Sequence, residues 1–372
     1  MSPPGAGGEG GEAVAALNAG SSSIKFALFS ADAAPEEIMR GQIEHITHAD
    51  GDALLRELES HLDGRQLAAI GHRIVHGGSR FVAPVRLTPE IIAALRDLTP
   101  LAPLHQPLGL APIEAIATVR PGLTQIACFD TAFHHDLRPP ASRYAIPRAF
   151  EAKGIRRYGF HGLSYEYIAR RLKETSAPGR KVVVAHLGSG ASLCAMLDGR
   201  SIDTTMGFSA LDGLVMATRP GAIDPGILLY LLKQEGFTPD RLEQFLYHEC
   251  GLLGVSGLSA DMRDLLGSDD PRAAEAIDLF AFSISRHIAE MANSLGGLDV
   301  LVFSGGIGEH APVLRAMVAA RLGWLGAVLD EAANRAAAPR ISAAGSRIEL
   351  RIIPTDEELI IAEHTVAALG RS

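Results

Sequence analysis

The sequence predicts an α/β protein built from two duplicated domains. Apolar strand-like segments alternate with helical segments along the 372 residues, and this order is typical of an α/β fold. One element occurs twice. Residues 182–197 are two apolar strands joined by a glycine and serine turn, and residues 13–29 repeat the scheme. The repetition indicates two related domains, since 372 residues suffice for two separate cores.

Both turns have the composition of a phosphate-binding loop. Gly188 and Gly190 let backbone N–H groups approach an anion, and Ser189 and Ser192 add hydroxyl donors. The earlier turn, residues 20–23, leads into a strand that carries Lys25. For one such loop, an ordinary glycine hairpin is the simpler interpretation. Because the chain contains two, we expect them to hold one phosphate chain.

The remaining pattern predicts helices, one further strand and a third glycine-rich turn. A buried strand at 300–304 runs into a glycine-rich turn at 305–308, whose spacing matches neither a P-loop nor a dinucleotide-binding fingerprint. We expect Thr355 to cap the last helix. The predicted helices cover residues 51–62, 88–98, 112–119, 225–250, 270–295 and the C-terminal segment.

Composition excludes several classes of protein. The formal net charge is −9, so general nucleic-acid binding is not expected. No apolar run is long enough to span a membrane, and residues 1–12 resemble a flexible leader rather than a signal peptide. Cys128, Cys194 and Cys250 are isolated and predict buried thiols rather than disulfides or a zinc site. These features favour a cytoplasmic enzyme.

The glycine-rich elements, taken together, resemble those of the actin/hexokinase/sugar-kinase superfamily. Within it, the chain closely resembles the acetate/propionate/butyrate kinase family, and the matching segments span residues 14–365. These segments, in order, are LNAGSSSIKF, GHRIVHGG, LAPLH, FDTAFH, RRYGFHG, HLGSGAS, DTTMGF, GLVMATRPG, SADMRD, GGIGE and PTDEEL.

The resemblance implies two ribonuclease-H-like (actin/hexokinase-like) domains with the active site in the cleft between them. It implies a first domain of residues 13–131 plus 358–372, and a second, nucleotide-binding domain of residues 132–357. The implied reaction is reversible phosphoryl transfer from ATP to a short carboxylate, giving an acyl phosphate and ADP. It needs Mg²⁺, for which Mn²⁺ is a possible substitute. A homodimer is also implied.

The resemblance also assigns site residues by their position in the motifs. The reaction itself is assigned to Asp130, His161 and Arg219. The carboxylate is assigned to Arg73, Val75, Leu104, His105, Phe160 and Ala210. The nucleotide is assigned to Lys25, His186, Leu187, Gly188, Ser189, Gly190, Asp261, Met262, Arg263, Gly306, Ile307, Gly308, Glu309 and His310. The metal is assigned to Asn18 and Glu357.

Chemistry supports two cationic roles among these residues. A carboxylate acceptor is already ionised at neutral pH, so it needs no general base. It needs one cation to neutralise it and another for the phosphoryl oxygens. Arg73 and Arg219 fit these roles. Without the resemblance, the simpler interpretation of either arginine is a surface or salt-bridge residue. We expect His161 to donate to the phosphoryl group, and Asp130 to orient Arg219 or hold the metal through water rather than accept a proton.

Four positions depart from the family pattern. Ser189 replaces a usual asparagine, His310 another asparagine, and Ala222 a common aspartate. Ala210 replaces a common proline beside the substrate methyl group and leaves more space there. Acetate is the expected substrate, and the alternatives are propionate or a dual preference. A non-catalytic nucleotide-binding scaffold is the alternative from another class.

Overall fold

The computed structural model describes residues 11–20, 23–44, 50–175 and 179–370. These residues form two compact units, one extending to Ala132 and resuming at Asp356, the other comprising Phe133–Thr355. The predicted leader lies outside the described residues except for Gly11 and Glu12, and Glu12 already begins a strand. Two residues of the first predicted phosphate turn, 21 and 22, also lie outside them.

The elements alternate along the chain as an α/β protein requires. The strands are β1 (Glu12–Ala19), β2 (Ser23–Ser30), β3 (Glu37–Glu44), β4 (Gln66–Ile74), β5 (Val85–Arg86), β6 (Thr124–Phe129), β7 (Lys181–Leu187), β8 (Ala191–Leu197), β9 (Arg200–Thr204), β10 (Val300–Ser304) and β11 (Glu349–Ile352). The helices are α1 (Gly51–Ser60), α2 (Pro89–Arg96), α3 (Gln106–Val119), α4 (Arg148–Glu151), α5 (Gly162–Thr175), α6 (Pro225–Lys233), α7 (Pro239–His248), α8 (Gly251–Ser256), α9 (Met262–Leu266), α10 (Pro271–Leu295), α11 (Gly305–His310), α12 (Pro312–Arg321), α13 (Glu331–Arg335) and α14 (Glu357–Ala368).

The first unit contains a six-stranded sheet in the order β3-β2-β1-β4-β6-β5. Strands β1, β4 and β6 are parallel, while β1, β2 and β3 form an antiparallel meander. Alternate residues of β1, including Leu17, pack with the buried leucines of α1 on one face. Helix α14 packs against β1 and β4. Gly71 faces α14, while its neighbour Ile70 joins the α1 cluster, so the two helices cover opposite faces.

The second unit repeats this arrangement around a five-stranded sheet in the order β11-β10-β7-β8-β9. Strands β7, β10 and β11 are parallel, and β7, β8 and β9 form the antiparallel meander. Helix α5 packs on the face that carries Val182, Val184 and Cys194. Helix α10 also packs against β7 and β8. The repeated meander and parallel strands confirm the predicted mixed α/β fold with two related sheets.

Three local predictions were wrong. Helix α3 begins at Gln106 rather than near Pro112, which lies inside the helix. The glycine-rich segment after β10 is the short helix α11 rather than a turn, because Gly305 (φ 74°) lets the chain turn at once into a helix. Asp356, not Thr355, caps α14, since its carboxylate accepts the N–H of Leu359.

Two predictions from composition can be compared with the described residues. All three cysteines are buried, as expected for core positions, and none is in a disulfide. Within the described ranges, no helix has both the length and the apolar character that a membrane span requires.

We predict that Gly71→Ala loosens the contact between α14 and β4. A Cβ at Gly71 would lie 2.2 Å from Thr365 Oγ1 and 2.4 Å from Ile361 Cγ2. Overpacking of this kind costs about 1–3 kcal/mol of unfolding free energy, measurable by urea denaturation. Gly122→Ala is the matched control, since a Cβ there meets no atom within 4 Å. Equal stability of the two variants would contradict the packing described here.

Candidate functional site

In the first unit, three polar residues meet at the carboxyl ends of the parallel strands. Leu17 of β1 pairs with His72 of β4, so the next residues, Asn18 and Arg73, lie side by side. Arg73 shares its face with Gly71, two residues earlier, and therefore lies on the side covered by α14. Asp130 follows β6, and its backbone N–H donates to Ile74 O (3.0 Å). Carboxyl ends of strands are where open α/β sheets bind ligands.

Asp130 fixes the guanidinium of Arg73. Arg73 Nε lies 3.1 Å from both carboxylate oxygens of Asp130, and Nη2 donates to Oδ2 at 2.6 Å. The third nitrogen, Nη1, donates to Asn18 Oδ1 (3.0 Å). Asp130 is 1% exposed. A forked, buried ion pair of this kind constrains the plane as well as the position of the arginine.

The sequence interpretation expected Asp130 to orient an arginine but named Arg219. The arginine that Asp130 holds in the structure is Arg73. Burial lowers the pKa of Arg73, but the charges of Asp130 and Glu357 outweigh it and raise that pKa above its usual value. Arg73 is therefore a permanent cation, partly exposed at the carboxyl end of β4, where it can bind an anion.

Glu357 brings a second carboxylate to this cluster from the first turn of α14. Its Oε2 lies 3.7 Å from Arg73 Nε. Burial raises the pKa of Glu357 to about 7, against the opposing effect of Arg73. The nearby positive charge therefore does not fully compensate two buried carboxylates, and a cation bound there would stabilise the charged form of Glu357.

The donor set at this cluster fits Mg²⁺ bound partly by the protein. The amide oxygen of Asn18 and the carboxylate of Glu357 are hard oxygen ligands, and Mg²⁺ usually keeps several waters and phosphate oxygens. Within the described residues, no group of three or more His, Cys, Asp and Glu side chains could hold a metal by itself. Lys25 is exposed on β2 directly opposite Asn18 in the strand register.

In the second unit, two histidines meet at the carboxyl end of β7 and the start of α5. His161 immediately precedes α5, and its ring stacks on that of His186 at 4.3 Å between centroids. His186 lies on the face of β7 that α5 covers, because it follows Val182 and Val184 at two-residue spacing. Its Nδ1 pairs with Ser164 Oγ (2.8 Å).

The turn between β7 and β8 lies beside His161 and Arg219. A Cβ built at Gly190 would lie 3.0 Å from Arg219 Nη2 and 3.3 Å from His161 Nε2. A side chain at this position would therefore crowd both Arg219 and His161. Arg219 Nη1 donates to Ala210 O (2.8 Å), which fixes the other end of the guanidinium. An anion at this turn would meet two nitrogen donors and bare backbone.

A cavity of about 510 Å³ in the second unit collects most of the residues that the sequence assigned to the nucleotide. Its volume is in the range of small-molecule sites. The predicted residues that line it are Gly188, Ser189, Asp261, Met262, Arg263, Gly306, Ile307 and His310. The side chain of His310 is 80% exposed, so it lies at the rim.

Leu187, Gly308 and Glu309 are also predicted for the nucleotide but do not line this cavity. Leu187 is fully buried. Gly308 is buried, and its carbonyl accepts from Arg315 Nη1 (2.9 Å). Glu309 Oε1 accepts the backbone N–H of Gly305 (2.8 Å) and of Thr355 (3.3 Å). Glu309 therefore stabilises the start of α11, and the prediction that it contacts the nucleotide is not supported by its position.

The residues predicted for the substrate are divided between the two units. Arg73, Val75, Leu104 and His105 belong to the first unit, and the last three are half-buried. Phe160 and Ala210 belong to the second unit and are buried.

Sequence reasoning missed the partners of His161. Ser192 was interpreted as a phosphate donor, but it is fully buried, and its hydroxyl pairs with His161 Nδ1 (2.8 Å). Tyr165 was not singled out, yet its hydroxyl lies 2.5 Å from Ser192 Oγ. The available signal was spacing, because Tyr165 follows His161 by four residues and faces the same strand ends.

Comparison with known proteins identifies the relatives of this chain. Residues 52–363 match the family described as the acetokinase family. The acetate kinase of Rhodopseudomonas palustris (strain TIE-1) is 53% identical, over 94% of this chain and 96% of that protein.

Two crystal structures are similar. A propionate kinase from Francisella tularensis subsp. tularensis SCHU S4 has a TM-score of 0.89 and 34% identity, covering 95% of this chain and 99% of that one. An acetate kinase of Porphyromonas gingivalis has a TM-score of 0.85 and 32% identity, with coverages of 96% and 100%.

Proposed function

The chain belongs to the acetokinase family, and on this premise we propose that it is an acetate kinase. The reaction is the reversible transfer of the γ-phosphoryl group of ATP to acetate, which gives acetyl phosphate and ADP. A carboxylate oxygen attacks phosphorus directly and in line, and the bond to the ADP oxygen breaks. The first unit contains Arg73 for the carboxylate and the proposed metal ligands, and the second contains most of the residues assigned to the nucleotide.

The observation that carries the proposal is the fixed guanidinium of Arg73. An acetate ion approaching a polyanionic nucleotide must be neutralised, and Arg73 offers a permanent positive charge in one orientation. Both carboxylate oxygens of Asp130 already accept hydrogen bonds from Arg73. Acetate is itself ionised at neutral pH, so no proton has to be removed. Asp130 is therefore a positioning residue rather than a general base.

Arg219 and His161 are assigned to the transferring phosphoryl group. Phosphoryl transfer depends on positioning and charge stabilisation more than on covalent chemistry. Both side chains border Gly190, where a phosphoryl oxygen can approach the backbone without steric hindrance. The nucleotide itself is assigned to the cavity lined by Ser189, Asp261 and Gly306.

The metal is assigned to Asn18 and Glu357. The two oxygen donors and the incomplete charge compensation of Glu357 fit Mg²⁺, with Mn²⁺ as a possible substitute. When bound, the metal would offset negative charge on the phosphate oxygens. Asn18 keeps its side chain oriented through its bond to Arg73 (3.0 Å).

Propionate is the alternative substrate, and one residue favours it. Ala210 is small and stands where the family commonly has proline, so the space for an extra methylene is larger. A non-catalytic scaffold is the remaining alternative, and the oriented Arg73 argues against it, because a scaffold needs no carboxylate site.

The first experiment measures acyl phosphate formed from ATP and Mg²⁺ with acetate, propionate and butyrate in parallel, trapped with hydroxylamine. We expect kcat/KM to fall with each added methylene by about 10- to 200-fold, the range for about 1–3 kcal/mol per methylene. In Ala210→Pro, kcat/KM for propionate should fall more than kcat/KM for acetate.

Equal or better turnover of propionate would mean that propionate, rather than acetate, is the main substrate. Absence of product with all three acids would support the scaffold. A matched control is Ala83→Pro, a small-to-proline change at an exposed residue of the first unit outside the predicted pocket, which should not alter the ratio of the two acids.

Asp130→Asn tests the positioning role. The substitution removes a charged partner of Arg73, and such hydrogen bonds contribute about 1.5–3 kcal/mol, so kcat/KM for acetate should fall about 10- to 150-fold. The loss should appear mainly as a higher KM for acetate, with the KM for ATP little changed. Asp97→Asn, an exposed carboxylate of the same unit, is the control. A collapse of kcat at unchanged KM would instead indicate proton transfer.

We also propose a homodimer in which α6 contributes to the interface with a second copy. None of the nine residues of α6 is buried, although its sequence, PGILLYLLK, is strongly apolar. Ile227, Leu229 and Tyr230 are 46%, 52% and 55% exposed. Exposed apolar side chains this close together are typical of an interaction surface.

Leu229→Asp should dissociate this dimer, because it places a charge on the apolar surface of α6. Analytical ultracentrifugation should give the mass of a dimer for the wild-type protein and of a monomer for the variant at micromolar concentration. Val119→Asp introduces the same charge at an exposed apolar residue of the first unit and should remain dimeric. A wild-type monomer, or a dimeric Leu229→Asp, would refute the assignment.

A further inference from the structure

His161 is linked by hydrogen bonds to two buried hydroxyl groups, those of Ser192 and Tyr165. Its Nδ1 lies 2.8 Å from Ser192 Oγ, and Ser192 Oγ lies 2.5 Å from the hydroxyl of Tyr165. The side chains of Ser192 and Tyr165 are fully buried. Three elements contribute, namely the loop before α5, α5 itself and β8.

The number of donors decides the direction of these hydrogen bonds. Burial raises the pKa of Tyr165 well above its usual value, so the phenol keeps its proton and must donate it. Among the described residues, Ser192 Oγ is the acceptor for this hydroxyl. The hydroxyl proton of Ser192 then has one acceptor, His161 Nδ1. Any other direction leaves a buried hydroxyl proton unsatisfied.

We propose that Tyr165 and Ser192 are positioning residues that fix His161 as the tautomer with its proton on Nε2. The inference rests on the proposed function, because it assigns to that Nε2–H the donation to the transferring phosphoryl group. The sequence of donors runs from Tyr165 to Ser192, from Ser192 to His161, and from His161 to a phosphoryl oxygen.

The geometry around His161 agrees with this direction. Its Nε2 lies on the side of Gly190, at 3.3 Å from the position of a Cβ built there. The ring of His186 on β7 stacks on that of His161, and Arg219 Nη2 borders the same glycine. A proton on Nε2 would therefore lie on the side of Gly190, where a phosphoryl oxygen can approach the backbone.

A fixed tautomer has a catalytic consequence. If the proton moved to Nδ1, Nε2 would present a lone pair to a negatively charged phosphoryl group, which is repulsive. The Nε2–H tautomer presents a donor before the reaction begins, so no reorganisation is needed at that position.

The test uses long-range ¹H–¹⁵N NMR of the full-length protein labelled with ¹⁵N-histidine, at pH 7.5, with His161→Gln to assign the signals. For the wild-type protein we expect a protonated Nε2 and an unprotonated Nδ1. Tyr165→Phe and Ser192→Ala should shift His161 toward a mixture of tautomers. Both should lower kcat about tenfold or more, while the KM for acetate changes less than about twofold.

Tyr167→Phe is the matched control, because it removes a phenolic hydroxyl from the same helix without affecting Ser192. It should leave the His161 signals and kcat unchanged. Tyr165→Phe keeps the buried ring and should fold even if Ser192→Ala does not. A wild-type protein with the proton on Nδ1, or tautomer signals unchanged in both variants, would overturn the proposal.

The NMR signature does not depend on turnover, so the two hypotheses fail separately. A wild-type protein with the Nε2–H signature but no acyl phosphate product would refute the proposed function and support the tautomer assignment. An active wild-type protein with the opposite tautomer would refute this inference alone.

Discussion

Polar groups at the end of a buried strand must find partners, and this requirement shapes both sites. In the first unit, the partners of Arg73 are Asp130 and Asn18, each at the carboxyl end of a strand adjacent to β4. The parallel strands bring together groups that are far apart in the chain. Two-residue alternation then decides which of them share the face of α14. The site is thus a consequence of strand order and register.

The second unit meets the same requirement with hydroxyl groups instead of an ion pair. Ser192 Oγ pairs with the imidazole of His161, and Ser164 Oγ pairs with that of His186, which lies opposite Ser192 in the β7–β8 register. The difference suits the two halves of the reaction. On the proposed assignments, the first unit meets a carboxylate with the charge of Arg73, and the second meets a phosphoryl group with Arg219 and the hydrogen-bonded imidazole of His161.

The sequence predicted the duplicated architecture because glycine and strand patterns are local. It did not predict α11 as a helix, since that depends on the left-handed conformation of Gly305 and on the hydrogen bond from its N–H to the carboxylate of Glu309. Nor did it distinguish Ser192 from Ser189. Ser189 lies within the glycine turn and Ser192 just after it, and the strand alternation, set by pairing with β7, directs Ser192 toward His161.

Asp130 illustrates the same limit, because the sequence did not predict its hydrogen bonds to Arg73. Its role as an orienting group follows from chemistry, because a carboxylate acceptor needs no base. Its partner follows from register, since Asp130 N bonds to Ile74 O, beside Arg73. Local chemistry identifies what a residue does, while long-range strand pairing identifies which side chain it acts upon.

On the proposed assignments, Ala210 connects substrate choice with catalysis. The carbonyl of Ala210 accepts from Arg219 Nη1, while the methyl group of the same residue is assigned to the substrate pocket. A proline at this position would fix φ and reshape the pocket, and it would also move the carbonyl that orients the arginine. The alanine therefore changes pocket volume and the constraint on Arg219 together. Selectivity among short acids and the rate of transfer should not vary independently at this position.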